Sequence, residues 1–190
     1  MKLATDFIPV DCTSLEVGGV SGKLYLLDYE DYLTSTITRD ADGSISAIVL
    51  TTTGAKAIEY DLPRGATIAT SPLTINNGGK SGFTHTLQAF IPSKGMDIKK
   101  EIACYVNYRR AVGLLVLDSS IVAQVFGNDV GLQVTAYEEA PNDPSKGGGF
   151  DVTFSTPSDV TLENLPPTTF FDTSRTVTLA ALLALKTPVV

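Results

Sequence analysis

Apolar and polar residues alternate with a period of two along most of this chain. The clearest case is Ser44–Leu50, which follows the turn signal Asp42-Gly43 and is preceded by Thr34–Thr38. An Asp-Gly pair between two alternating segments is a strong short-range signal for a β-hairpin. The sequence therefore predicts a hairpin over residues 34–50.

Other segments share this alternation and are separated mostly by Gly, Asn, Asp or Pro. These predicted strands are Lys23–Tyr29, Ala55–Asp61, Ala66–Ile75, Phe83–Phe90, Val112–Leu117, Ile121–Phe126, Leu132–Glu138 and Phe150–Ser155. About ten short strands with frequent turn signals favour a β-sandwich or a barrel.

One segment follows a helical period instead. Met96, Ile98, Ile102 and Tyr105 recur at nearly helical spacing, with Lys99 and other charged residues on the opposite side. This pattern predicts a single amphipathic helix at about Ser93–Arg110.

The predicted elements divide the chain into three parts. Residues 17–163 form the β domain, residues 1–16 an N-terminal arm and residues 164–190 a C-terminal extension. Leu165-Pro166-Pro167 interrupts the strand pattern, and the apolar run Leu179–Leu185 requires burial somewhere. The arms are expected to lie across neighbouring molecules.

Many strands alternate an aliphatic residue with Thr or Ser, as in Thr84-His85-Thr86, and not with Lys or Glu. Small hydroxyl side chains suit a sheet face that meets another subunit or lines a solvent-filled space. They also suit any ordinary strand, because Thr has a high β-propensity. The sequence leaves both interpretations open.

The amino-acid composition limits the classes of function that are compatible with this chain. The chain has 190 residues, of which 43% are hydrophobic and 18% charged, and a net charge of −7. Few charges indicate surfaces buried against partners, and the acidic balance disfavours nucleic-acid binding, which depends on Lys and Arg. Cys12 and Cys104 are expected to be free thiols of a protein made in the cytoplasm. No signal peptide and no membrane span are predicted.

Residues that could perform catalysis are sparse. The single histidine, His85, has no recognisable partner pattern and is interpreted as an ordinary strand residue. Asp28-Tyr29-Glu30-Asp31 and Glu138-Glu139 do not match a calcium loop and are interpreted as solvated turns. Gly78–Ser81 lacks the spacing of a phosphate-binding loop. We predict no catalytic residue, no metal site and no cofactor.

The order of segments is more informative than any single motif. A helix ending in Asn107-Tyr108-Arg109-Arg110 is followed by an aliphatic strand, two Gly-containing turns, a Gly-rich loop and a further strand. The corresponding segments are Val112–Asp118, Val125–Gly127, Gly131–Leu132 and Gly149–Phe154. This order, over residues 17–155, resembles tail tube and tail-associated ring proteins of tailed bacteriophages.

The resemblance implies a β-sandwich with one flanking helix that assembles into hexameric rings. The rings stack into a tube through which DNA passes without specific binding, so the partners are further copies and other virion tail proteins. The protein would be made in the cytoplasm of the bacterial host and reside in the virion tail. The family has no catalytic residues to transfer.

The long loop between the last two predicted strands is a predicted contact with another subunit. It is polar and contains Pro, Asn and three Gly, so it suits a segment that becomes ordered against a neighbour. A plain surface hairpin is the alternative. A second candidate lies within Ala66–Lys80. The predicted contact residues are Glu138, Glu139, Asn142, Asp143, Lys146, Asn76 and Asn77.

The sequence leaves two other functions open. The C-terminal extension allows a tail collar or terminator ring in place of the tube itself. A module binding a glycan or a receptor could share the same strands, but it would usually cluster exposed aromatic residues, and this chain has no Trp.

Overall fold

The structure, a computed structural model, describes residues 20–62, 67–75, 81–91, 96–106, 109–117, 123–139, 149–158 and 162–189. Within these residues the chain is mainly β, with thirteen strands and three helices. The strands are β1 Val20–Asp28, β2 Thr36–Arg39, β3 Ile45–Val49, β4 Ile58–Asp61, β5 Thr67–Thr70, β6 Leu73–Ile75, β7 Ser81–Phe83, β8 Thr86–Ile91, β9 Ala111–Leu117, β10 Ala123–Phe126, β11 Gln133–Glu139, β12 Phe150–Ser155 and β13 Thr168–Phe170. The helices are α1 Tyr29–Thr34, α2 Met96–Val106 and α3 Arg175–Ala184.

The strands form three sheets. The largest has seven strands in the order β2-β3-β13-β10-β9-β1-β4, and a second has four in the order β11-β12-β8-β5. Strands β6 and β7 form a separate two-stranded ribbon. The predicted hairpin over residues 34–50 is confirmed as β2 and β3, in which Ile37 lies opposite Ile48.

The seven-stranded sheet is covered on both faces. On β1, Tyr25 and Leu27 belong to one buried cluster, while Leu24 and Leu26 belong to the other, as the period of two requires. A strand with two buried faces reads as a continuous apolar run. The run Ala111–Val116 is of this kind, because every residue in it is buried.

The four-stranded sheet packs against one of these faces. The second cluster joins Leu24 and Leu115 of the large sheet to Leu87, Val152 and Phe154 of the small one. The contact is close at Gly113 on β9, where an added Cβ would lie 2.9 Å from Leu87 Cδ2. Alternate residues of β8 and β12 are buried in this core.

The predicted helix is confirmed as α2, which is shorter than expected in the described residues. Its Ile102 and Tyr105 are buried, and the ring of Tyr105 meets that of Phe154 edge-on at 6.2 Å. The prediction of a single helix was wrong, because α1 and α3 are also present. The α1 helix begins at the stretch interpreted as a solvated turn, where the side chain of Asp28 accepts a hydrogen bond from the Glu30 N–H and caps the helix.

The residues predicted as a C-terminal extension contribute to the large sheet and its outer layer. Strand β13 lies between β3 and β10, with Phe170 fully buried. Helix α3 buries Thr178 and Leu182 on the face of the large sheet that points away from the four-stranded sheet. Residues 168–185 therefore share one core with the preceding strands. The predicted N-terminal arm, residues 1–16, lies outside the described residues.

Two predicted strands are divided. The segment predicted as Ala66–Ile75 breaks at Ser71-Pro72 into β5 and β6, because a proline cannot donate to a sheet. The segment predicted as Phe83–Phe90 breaks at Thr84-His85 into β7 and β8. Both breaks lie at the base of the two-stranded ribbon, where the Thr84 N–H donates to the Pro72 carbonyl.

Candidate interaction surfaces

Strand β11 is the first candidate surface, because it is an edge strand with little cover. It pairs with β12 on one side only, and Thr135–Glu139 are exposed. An exposed edge presents unpaired backbone groups that can pair with another chain. The strand therefore offers a site for a neighbouring molecule beside the predicted contact loop.

The end of β11 is held by helix α2. The Lys99 Nζ lies 2.7 Å from Glu139 Oε1 and 5.4 Å from the centre of the Phe150 ring. The hydrogen bond to Glu139 raises the pKa of Lys99. Tyr137 stacks on Phe150 with ring centres 5.7 Å apart. The strands that enter and leave the loop are therefore fixed at their base.

Only part of the predicted contact set can be placed. Glu138 and Glu139 lie on β11, where Glu138 is opposite Asp151 on β12. The remaining five predicted contact residues, Asn142, Asp143, Lys146, Asn76 and Asn77, lie outside the described residues. Glu139 has an intramolecular role, which the sequence did not indicate.

We expect the Glu139→Gln variant to lower the free energy of unfolding by less than about 1 kcal/mol. Both members of the ion pair keep about a third of their side-chain area in solvent, and such pairs contribute little. Urea unfolding of the wild type and the variant measures the difference. A loss above about 2 kcal/mol would contradict the view that this pair only positions the strand.

The ribbon of β6 and β7 is the second candidate surface. Leu73 and Ile75 point to the same side of β6 and are 57% and 72% exposed. Ile68, on β5 of the four-stranded sheet, is also 57% exposed. Two exposed aliphatic side chains on one side of the ribbon favour an interface, since scattered single ones are common and need no explanation.

The ribbon is attached firmly to the main fold. Phe83 on β7 exchanges backbone hydrogen bonds with Glu163, at 2.8 and 3.1 Å. A Cβ on Gly82 would lie 2.6 Å from Leu162 Cβ, so the two backbones approach closely. Thr74 and Thr84 share a hydrogen bond between their hydroxyl groups at 2.8 Å. The exposed side chains of β6 are therefore presented on a fixed support.

This support centres on the buried carboxylate of Glu163. Its Oε2 accepts a hydrogen bond from the Asp129 N–H at 2.8 Å, and its Oε1 accepts one from the Val130 N–H at 3.1 Å. Glu163 is 1% exposed, and burial raises its pKa to about 7. The carboxylate thereby fixes the turn that leads from β10 in the large sheet to β11 in the small one.

The turn itself spans Gly127–Gly131. Both glycines have a φ of 77°, which side-chain-bearing residues rarely adopt, and a Cβ on Gly131 would lie 2.9 Å from the Tyr29 ring. The Tyr29 hydroxyl donates to the Asp129 carbonyl, and the Arg110 Nη1 donates to the Val130 carbonyl at 3.1 Å. Polar side chains from several elements therefore converge on one turn.

His85 belongs to the same structural network. The Gly127 N–H donates to Nδ1 at 3.0 Å, so the proton is assigned to Nε2, which donates to the Leu165 carbonyl at 3.1 Å. Burial lowers the pKa of the histidine. The prediction of an ordinary strand residue was wrong in its location, because His85 lies between β7 and β8. Its hydrogen bonds hold the turn and the 163–165 segment together.

Charged residues line a cleft of about 660 Å³ at the start of α1. Its lining includes Asp28, Asp31, Arg109 and Arg110. Arg109 Nη1 lies 3.1 Å from Asp28 Oδ2, and Arg110 is bonded to the Gly127–Gly131 turn. These contacts give the two arginines a structural role.

Metal ligands do not cluster in the part of the chain that the structure describes: it holds no group of three or more His, Cys, Asp or Glu that could bind an ion. In the same residues, no helix has the length and apolar character to cross a bilayer. No family model, curated protein or solved structure matches this chain.

The roles of three residues that matter most on these surfaces were not predicted from the sequence: Leu73, Ile75 and Glu163. The alternating pattern places Leu73 and Ile75 in the longer predicted strand Ala66–Ile75. A Pro two residues after a Thr-rich strand was the available signal that β6 is a separate element. Glu163 carried no signal, because its partners Asp129 and Val130 are more than 30 residues away.

Proposed function

We propose that this protein is a structural virion protein of a tailed bacteriophage, and that it is the tail tube subunit. In this proposal the seven-stranded and four-stranded sheets form a β-sandwich, and the subunits form hexameric rings that stack into a tube. The observation that carries the proposal is the ribbon: exposed aliphatic side chains stand on a rigid support that hydrogen bonds attach to the core.

The ends of the two sheets support association within a ring. The outer strands are β2 and β4 in the large sheet and β5 and β11 in the small one. Strands β2 and β11 are exposed along most of their length. Exposed edge strands present unpaired backbone groups that can pair with other strands, and a closed ring uses such edges in a defined way.

The two hairpins support contacts between rings. Strands β11 and β12 are joined by the ten residues 140–149, and β6 and β7 by residues 76–80. Both hairpins are fixed at their bases, so their outer parts can meet a neighbour without loss of order in the core. Contacts of this type would add to a ring interface of more than about 2,000 Å².

The charge of the chain also fits a tube around DNA. A net charge of −7 opposes adhesion of the phosphate backbone, so DNA can slide along the lumen. The glycan-binding alternative has less support, since charged side chains make up most of the lining of the 660 Å³ cleft and none of its described lining residues is aromatic.

Sedimentation velocity over a hundredfold range of protein concentration tests the proposal. We expect species that contain six subunits or a multiple of six, where each subunit has a mass of 20.1 kDa. A chain that stays monomeric over the whole range would contradict self-assembly and would favour a binding module.

A further inference from the structure

The outer face of helix α3 is uncharged and mostly apolar, with Thr176 as its one polar side chain, although it faces solvent in the described structure. From Thr176 to Leu185 the helix carries no charged residue. Val177 is 42% and Leu183 is 53% exposed, and Ala180 and Ala184 are also exposed. The opposite face already packs on the large sheet through Thr178 and Leu182.

Such a helix normally has a cover on both sides. A surface helix places polar residues on its outer face, whereas a helix that is apolar all round is buried. The outer face of α3 therefore requires an apolar partner.

Residues 1–19 precede Val20, the first described residue, which lies near the first turn of α3. Val20 lies opposite Leu117 at the end of β9. The Leu117 carbonyl accepts hydrogen bonds from both terminal nitrogens of Arg175, at 3.3 and 3.2 Å. Arg175 is the first residue of α3. Leu117 thus links the start of β1, through strand pairing, with the start of α3, through the Arg175 side chain.

The length of this segment is more than sufficient. Helix α3 has ten residues and is about 15 Å long, while 19 extended residues reach up to about 60 Å. A segment tethered so close to its site experiences an effective concentration on the order of millimolar. This favours the segment of the same chain over one from a second molecule.

The composition of the segment also matches the helix. It contains the apolar run Phe7-Ile8-Pro9-Val10, and its acidic residues Asp6, Asp11 and Glu16 outnumber its single Lys2. The charged residues at the two ends of the helix are engaged within the fold, since Lys186 pairs with Glu59 and Arg175 donates to the Leu117 carbonyl. The match therefore lies in the apolar run, whose side chains can cover the exposed apolar residues of the helix.

We propose that the outer face of α3 is the docking surface for residues 1–19 of the same chain. The surface is defined by Val177, Ala180, Leu183 and Ala184. This inference does not depend on ring formation, since it concerns a contact within one subunit.

Disulfide trapping with the native Cys12 tests this contact in the full chain. In a Cys104→Ser background, Val177→Cys, Ala180→Cys and Ala184→Cys are introduced one at a time. A Thr70→Cys variant is the matched control, because Thr70 is also exposed but lies on the four-stranded sheet. After mild oxidation at low protein concentration, non-reducing gels and peptide mapping measure intrachain and interchain disulfides.

We expect an intrachain disulfide from Cys12 to at least one α3 position, with a yield at least about fivefold above the Thr70 control, because a disulfide requires Cα atoms within about 7 Å. Yields at the control level for all three positions would overturn the proposal. Disulfides only between two molecules would also overturn it and would identify a second copy as the occupant.

A second substitution separates docking from mere proximity. With Phe7→Glu and Ile8→Glu in the best trapping variant, we expect the intrachain yield to fall to the Thr70 level. This change leaves the core of the described structure intact, so loss of folding does not explain the result. An unchanged yield would show that apolar contact does not hold the segment, and it would contradict the proposal.

Discussion

Replacing Leu73 and Ile75 together by Glu is expected to abolish assembly while the subunit stays folded. Both side chains are more than half exposed, so the substitutions remove no core packing. Surface changes of this kind shift stability by about 0.5 kcal/mol, or about 2 °C in melting temperature. In an interface, by contrast, each carboxylate would be buried against apolar groups, at a cost of several kcal/mol.

The measurement compares sedimentation and thermal unfolding of the same samples. We expect the double Glu variant to sediment as a monomer under conditions in which the wild type forms large species. The control combines Leu73→Val and Ile75→Val, which place an apolar side chain with high β-propensity at each position; it should assemble like the wild type. Normal assembly of the Glu variant would exclude the ribbon from the interface.

The Glu163→Gln variant is expected to show the largest change in pH-dependent stability. The folded-state pKa of Glu163 is raised to about 7 from 4.5 because the carboxyl group is buried. Between these two values the folded state keeps a proton that the unfolded state has lost. Glu163 therefore stabilises the folded state fully below pH 4.5, and this stabilisation is lost as the pH rises through 7. The total loss in the free energy of unfolding is about 3 kcal/mol.

The neutral Gln side chain does not titrate, so the difference between the two proteins isolates this effect. At pH 5 we expect the variant to be less stable, because its amide group places an N–H against one of two backbone donors. By pH 8 this deficit should shrink by about 3 kcal/mol or reverse. The other groups near the turn, including Asp129, Tyr29, Arg110 and His85, are common to both proteins.

Urea unfolding at pH 5, 6, 7 and 8 measures this difference directly. Glu138→Gln, at an exposed position of β11, controls for the loss of one negative charge. A deficit that grows with pH would mean that the two backbone N–H groups outweigh the cost of burial and keep the carboxylate ionised. That outcome would contradict the raised pKa.

Local signals predicted much of the fold. The β2–β3 hairpin followed from an Asp-Gly turn between alternating strands, and the pairing of β11 with β12 followed from two alternating runs around a polar loop. Helix α2 followed from its apolar spacing and its charged opposite side. In each case the residues that determine the element lie within the element or beside it.

The missed elements depend on distant residues. Strand β13 has only three residues, and its partners lie on β3 and β10, more than 40 residues earlier in the chain. Helix α3 has apolar residues on all sides, so its sequence shows no amphipathic period. The six-residue helix α1 depends on a cap from Asp28, which in sequence looks like part of an acidic turn.

The candidate surfaces were predictable to a lesser degree. The loop after β11 was recognised from its composition, but the engagement of Glu139 by Lys99 depends on the packing of α2 over β12. The exposure of Leu73 and Ile75 depends on the break at Pro72 and on the bridge from Phe83 to Glu163. Neither the contact between Lys99 and Glu139 nor the exposure of Leu73 and Ile75 follows from a local sequence pattern.

Negative-stain electron microscopy of the purified full chain tests the tail tube proposal most directly. The proposal predicts rings with sixfold symmetry or hollow tubes built from such rings, and their absence in the variant with Glu at positions 73 and 75. Fields of uniform single particles of about 20 kDa, at every concentration at which the protein is soluble, would contradict it.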